Sequence, residues 1–176
     1  MSNPSPLHAG DSQAYIDALL AFLGDRDPLE VFAETPDALR AAAEAVPESL
    51  RTIPEAPTKW SVLNVVQHFA HAEIALAFRY RIVLAEEAPG LPAIDPDAWI
   101  ANLYPNDVSL EEALNDFAAT RAQNLRLLRR VHGDAWERHG LHTQRGKETL
   151  RTMVRLYAAH DRYHLHQIQR IEKAIR

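Results

Sequence analysis

The chain has 176 residues, of which 47% are hydrophobic and 24% charged, with a net charge of −5 from 19 basic and 24 acidic side chains. This length and composition fit one ordinary globular domain with a real core. The acidic balance argues against a broad nucleic-acid surface, and the absence of cysteine excludes disulfides, thiolate metal ligands and a cysteine nucleophile.

The opening MSNPSPLHAG has neither a basic segment nor an apolar run, so no signal peptide is expected. Residues 1–11 read as a flexible polar tail, and residues 12–176 as a single helical domain. Asp11 or Ser12 could cap a short helix from about Gln13 to Phe22, stopped by Gly24 and Asp25. Asp27 followed by Pro28 has the form of a cap and first-turn proline. A separate piece is expected from Thr35-Pro36 through DALRAAAEAV to Pro47. Residues 47–58 contain three prolines and read as a loop.

From Trp60 to about Glu87 the pattern is helical. Val62, Val66, Phe69, Glu73, Leu76, Tyr80 and Val83 recur in steps of three and four, the signature of one bundle face. Residues 88–107 hold four prolines, and so long a connection is expected to cross the bundle or cover a site. Ser109 and Glu112 form a capping box for the next helix, whose stripe is Leu110, Leu114, Phe117, Leu125 and Leu128 and whose end falls near His132-Gly133. After a loop with Gly140 and Gly146, a last helix spans about Lys147 to Ile175. No run alternates convincingly as a strand. The expected class is all-α: a four-helix bundle with a long crossover between the second and third main helices. No apolar stretch approaches the length of a membrane span, and a cytoplasmic location is expected. A basic stretch remains at Arg126, Arg129 and Arg130.

The chemistry concentrates in the last helix. Its apolar row runs Leu150, Val154, Tyr157, His160, His164, Ile168, Ile171, Ile175, so two histidines one turn apart fall inside the core-facing stripe. Unpaired polar groups there cost on the order of 1–3 kcal/mol each. A shared metal ion removes that cost, and hydrogen bonding within the core is the competing solution. A third ligand should come from a facing helix. His68, beside the core stripe and on the flank of Val65 and Ala72, is the best placed. Three imidazoles leave coordination positions open, as in catalytic rather than closed structural sites. Imidazole ligands suit zinc, nickel, copper or iron, and the spacing does not choose among them; the expected ion is zinc or nickel, with iron, manganese and copper as alternatives.

Two segments carry a family resemblance. KWSVLNVVQHFAHAE at 59–73 opens a helix on Trp-Ser, with His68 eight residues after Trp60. AHDRYHLHQI at 159–168 supplies the H-x-x-x-H pair, and GLHTQRGKETL at 140–150 is a weaker match. The chain thereby resembles the DinB/YfiT-like family of metal-binding four-helix bundles, over roughly residues 12–174. The resemblance implies an unusual chain order, a long crossover, and a divalent metal held by His68, His160 and His164. It also implies metal-dependent hydrolysis, or transfer chemistry with a low-molecular-weight thiol as co-substrate. Asn64 departs from the acidic residue of many relatives, and His71 stands where Asp is common.

Several other residues are candidates for the pocket or for orienting a ligand. His71, three positions after His68, could reach the site mouth or face solvent. Glu73 could orient an imidazole, or pair with Arg121 in the third helix's stripe; the pair is preferred because Arg121 has no other evident partner. Asp161 could orient an imidazole, or lie on the surface, since it projects about 100° from His160. Tyr157 could line the pocket or pack in the core, and His142 could approach from the preceding loop. His166 is turned too far from His160 to share its site, and His8, His132 and His139 read as solvated. Trp60 anchors its helix start; Trp99 and Trp136 read as core or pocket cover.

The sequence therefore points to a metal-dependent enzyme acting on a small-molecule substrate. No side chain is a secure general base, so water or thiol activated on the metal would be the nucleophile. The alternative is a non-catalytic helical module with a structural or vestigial metal, associated with stress. A homodimer through an exposed apolar helix face is compatible with the pattern.

Overall fold

The computed structural model describes residues 13–103, 105 and 107–176; the polar N-terminal stretch, its Asp11/Ser12 cap and His8 lie outside them. Helix α1 covers Gln13–Leu20 and α2 covers Pro28–Glu44. The two long helices that follow are α3, Val62–Ala85, and, after the crossover, α5, Leu110–Leu128. Within the crossover lie a two-residue strand β1, Gly90–Leu91, and a short helix α4, Pro96–Asn102. Strands β2, His139–His142, and β3, Gly146–Thr149, precede α6, Leu150–Ile175.

The helix starts follow local chemistry. Asp27 accepts from the backbone N–H groups of Leu29 and Glu30, ahead of Pro28. The Ser109–Glu112 capping box is closed in both directions. At α3 the same box is built with an amide: Ser61 Oγ accepts from Asn64 N–H, and Asn64 Oδ1 accepts from Ser61 N–H, both at 3.2 Å. The departure at Asn64 is thus a helix cap.

Two expectations are corrected. Thr35-Pro36 does not begin a new helix; α2 runs through Pro36 without interruption. A proline there has no N–H for the carbonyl of Phe32, and the buried guanidinium of Arg121 donates to that oxygen instead, from Nη1 at 3.3 Å. The loop at 139–149 is a hairpin of two four-residue strands, and β1 joins it in parallel to make the order β1-β2-β3. Accordingly α6 starts at Leu150 rather than Lys147, with Thr149 as its cap. Gly140 is required at the β1–β2 junction: a Cβ there would sit 2.6 Å from Leu91 Cγ.

The four main helices are α2, α3, α5 and α6. Helix α3 packs chiefly on α5 and also on α6, while α2 packs on α6 and α5. The long connection joins the neighbours α3 and α5, so much of its length is free to lie over the end of the bundle. The apolar core falls into two halves. One gathers Phe32, Leu76, Tyr80, Val83, Leu128 and Met153; the other gathers Leu39, Val66, Phe69, Phe117, Ile168 and Ile171. Along α2, α3, α5 and α6 alike, the switch from one half to the other occurs across a buried polar layer containing Thr35, Glu73, Arg121, Asn124, His160, Asp161 and His164. On the outside of α3, Ile74 and Phe78 are exposed large apolar side chains. Among the described residues no helix is long and apolar enough to cross a membrane.

Candidate metal centre and its pocket

Two turns into α3, His68 points at the polar layer. From α6, His160 and His164 meet it. His160 Nε2 lies 3.0 Å from His68 Nε2 and 3.0 Å from His164 Nε2. The three rings are 6%, 1% and 1% exposed. Trp60, just before the Ser61 cap, packs its indole 4.8 Å from His68 and stacks on His164 at 6.2 Å, so it covers the imidazoles as well as anchoring the helix.

The donor set fits a cation. Gln167 Oε1 takes a hydrogen bond from His164 Nδ1 at 2.6 Å. That fixes the proton on Nδ1 and leaves the lone pair of Nε2 directed at His160. Tetrahedral ligation with bonds of about 2.0–2.1 Å places ligand nitrogens about 3.3 Å apart, close to the observed spacing. One cation would accept a lone pair from each of the three converging imidazole nitrogens at once. Among the described residues, these three histidines form the group able to hold a metal ion.

A pocket opens on one side of this cluster. His68, His71, Ala72, Ala75 and Arg79 from α3 form one wall, and Tyr157 and His160 from α6 another. The crossover contributes Ala93, Ile94, Pro96 and Trp99, and the hairpin adds His142, Gln144 and Arg145. Trp99 meets the ring of His71 edge-on at 5.8 Å. The crossover is fastened over the site by backbone bonds from Leu141 to Pro89 and from Thr143 to Leu91, and by the Thr143 hydroxyl, which accepts from Ala93 N–H.

Each remaining candidate has a definite place. His71 lines the pocket rather than facing solvent; its Nδ1 is buried with no hydrogen-bond partner, and burial lowers its pKa and keeps it neutral. His142 is on β2, not in a loop, and its Nδ1 accepts from the N–H groups of Gln144 and Arg145. Tyr157 lines the pocket and its hydroxyl accepts from Arg79 Nη1 at 2.7 Å. Glu73 and Asp161 do not meet the imidazoles. Both pair with Arg121, at 2.7 Å each. The surface reading of Asp161 is therefore corrected: α6 is buried on more than one side, and the residue is 2% exposed. His166 faces away, against Phe22.

Three residues escaped the sequence reading. Gln167 was legible in principle, three positions after His164 on the same helix. Arg79 and Arg145 were not, because their surroundings are made by the crossover and the hairpin.

The sequence profile of the DinB superfamily matches residues 32–168, which include all three histidines. The chain belongs to the DinB superfamily. Among curated DinB-like relatives, the protein named "Putative metal-dependent hydrolase YfiT" of Bacillus subtilis (strain 168) is 26% identical over 157 residues, covering 82% of each chain. A "Putative metal-dependent hydrolase" of Geobacillus thermodenitrificans (strain NG80-2) is 25% identical over 142 residues, covering 80% of this chain and 79% of its own. The solved structure of Bacillus subtilis YfiT, described as a probable metal-dependent hydrolase with an unusual four-helix bundle topology, matches with a TM-score of 0.77 at 23% identity. The match covers 92% of this chain and 88% of that one. It establishes the all-α DinB-like bundle.

Proposed function

We propose that this DinB-superfamily chain binds one divalent metal ion, zinc or nickel, through Nε2 of His68, His160 and His164, and hydrolyses a small-molecule substrate in the adjoining pocket. The observation that carries the reading is the convergence of three buried ring nitrogens, two of which, on His68 and His160, belong to the wall of a pocket. The relatives named as metal-dependent hydrolases support the same class of activity.

A cation held by three imidazoles keeps coordination open and supplies Lewis acidity, which lowers the pKa of a bound water or thiol towards neutrality. The protein's own groups do the rest. Gln167 holds the ring of His164 in register. Trp60 excludes water from the buried side of the cluster. His71, neutral through burial, can accept a proton at Nδ1. No carboxylate lines the pocket among the described residues, so the nucleophile must ionise without a carboxylate base. That feature equally suits transfer chemistry with a small thiol co-substrate, which is the second reading.

The test is elemental analysis of protein purified without chelator, beside His160→Ala. About one divalent ion per chain is expected in the wild type, and a large loss in the variant. A wild type that takes up no divalent metal under saturating conditions would sink the proposal. Esterase and amidase panels run with and without a small thiol then separate the two reactions.

A further inference from the structure

Arg79 is buried in the pocket wall, only 3% exposed, beside His68 and His160. Its guanidinium donates from Nη1 to the Tyr157 hydroxyl and from Nη2 to the Pro92 carbonyl, both at 2.7 Å. Both acceptors are neutral, and no carboxylate among the described residues pairs with it. The other fully buried arginine, Arg121, has Glu73 and Asp161, and the half-buried Arg145 on the same pocket wall has Glu148. A guanidinium cannot shed its charge at physiological pH, and a buried charge without a counter-ion is costly. Two of its five N–H groups are used, leaving donors for a further acceptor.

A second observation lies on the same wall. The buried Nδ1 of His71 has no hydrogen-bond partner. Between His71 and Arg79 the wall is Ala72 and Ala75, whose small side chains leave room, and Ile94 and Trp99 close the space from the crossover. The pocket thus offers an uncompensated cation and an unused imidazole nitrogen, separated by apolar surface.

We propose that Arg79 is an anion subsite, receiving the carboxylate of a substrate whose apolar body lies against Ala72, Ala75, Ile94 and Trp99. A monoanion is favoured over a phosphate dianion, since Arg145 is already neutralised by Glu148 and a single fork remains. This deepens the proposed function, resting on its assignment of the pocket as the substrate site. It does not depend on metal being bound.

The experiment uses the full chain, first stripped by chelator and then reloaded with zinc. Benzoate and its uncharged analogue benzamide are titrated calorimetrically, with inorganic phosphate as a third probe. Benzoate is expected to bind at least about tenfold more tightly than benzamide in both metal states, the size of one charge-assisted hydrogen-bonded pair. Arg79→Gln should abolish that preference and leave the metal content unchanged; Arg79→Lys should keep part of it. Equal binding of benzoate and benzamide, no benzoate binding at millimolar concentration, stronger binding of phosphate than of benzoate, or a preference that survives Arg79→Gln overturns the proposal. Should Arg79→Gln not fold, the wild-type ratio and Arg79→Lys still decide. A benzoate preference confined to the zinc-loaded protein also overturns it, since the anion would then be on the metal. Lack of metal uptake alone leaves the subsite standing and removes only the metal-centred reading.

Discussion

His160 and Asp161 are neighbours in sequence, yet they enter two buried polar clusters built on opposite terms. Asp161 joins Arg121, Glu73 and Asn124, where donors and acceptors meet within the chain: Arg121 reaches both carboxylates, and Asn124 donates to Glu73 Oε1 at 2.7 Å. Phe32 and Phe117 lie against the two faces of the guanidinium, 4.1 and 4.7 Å from its centre. His160 joins a second cluster, in which its Nε2 meets the Nε2 atoms of His68 and His164 at 3.0 Å each, on the wall of a pocket that Arg79 also lines. The first is an ion-pair network that ties α2, α3, α5 and α6 together and leaves only Arg121 Nε of its guanidinium without a partner. The second is a group of three ring nitrogens with the spacing to hold a metal ion. Burial alone does not separate the two; pairing of opposite charges, present in the first and absent from the three imidazoles, does.

Breaking the ion-pair cluster should have the largest effect. Arg121→Met leaves Glu73 and Asp161 buried without their cation, and about 3–5 kcal/mol of stability should disappear in urea unfolding at neutral pH. A loss under ~1 kcal/mol would mean that the network is not structural. The histidine cluster should respond to ligand instead. Zinc at about 100 times its dissociation constant should stabilise the wild type by about 2.7 kcal/mol and leave His164→Ala unchanged. Equal stabilisation of both proteins would place the metal elsewhere.

Smaller effects sharpen the contrast. Gln167→Leu should weaken metal binding by about 10–100-fold in competition with a chromophoric chelator, because the ring of His164 loses the acceptor that fixes its proton. Unchanged affinity would remove Gln167 from the site.

The ion-pair cluster also holds two carboxylates on one guanidinium. Burial raises Asp161 to about 6 although Arg121 pulls it down. The folded value lies above that of the unfolded chain, so the folded state holds the proton more tightly. The stability this group contributes is complete below about pH 4 and is lost as pH rises through about 6. The Tm advantage of the wild type over Asp161→Asn should therefore shrink as pH rises from about 4 to about 7. A constant difference across that range would mean that burial does not raise the Asp161 carboxyl.

The contrast also explains what was legible in the sequence. The helices could be placed because their caps and stripes are local: Ser109 with Glu112, and the row from Leu150 to Ile175. His160 and His164 stood out by core placement on the α6 row, whereas His68, beside its stripe, was added as the best-placed residue of a facing helix and by the family resemblance at 59–73. Glu73 and Arg121 stood in core rows as well, so their pairing could be anticipated, whereas Asp161 could not: a one-stripe reading of α6 hides the side that faces α2 and α5. Strands of two and four residues are too short to show alternation, and β1 has meaning only once the crossover has folded back on the hairpin. Arg79 was hidden for the same reason, since its partner carbonyl on Pro92 and the apolar cover over it come from that irregular segment.

The proline in α2 ties a substitution at one end of the sequence to one far away. Arg121 is 89 positions from Phe32, yet it donates to the carbonyl that Pro36 cannot serve. Restoring an N–H at position 36 would give that oxygen a competing donor, and removing Arg121 would leave it stranded in the core. The two positions are thus coupled through one carbonyl, in addition to the hold that Glu73 and Asp161 have on the arginine.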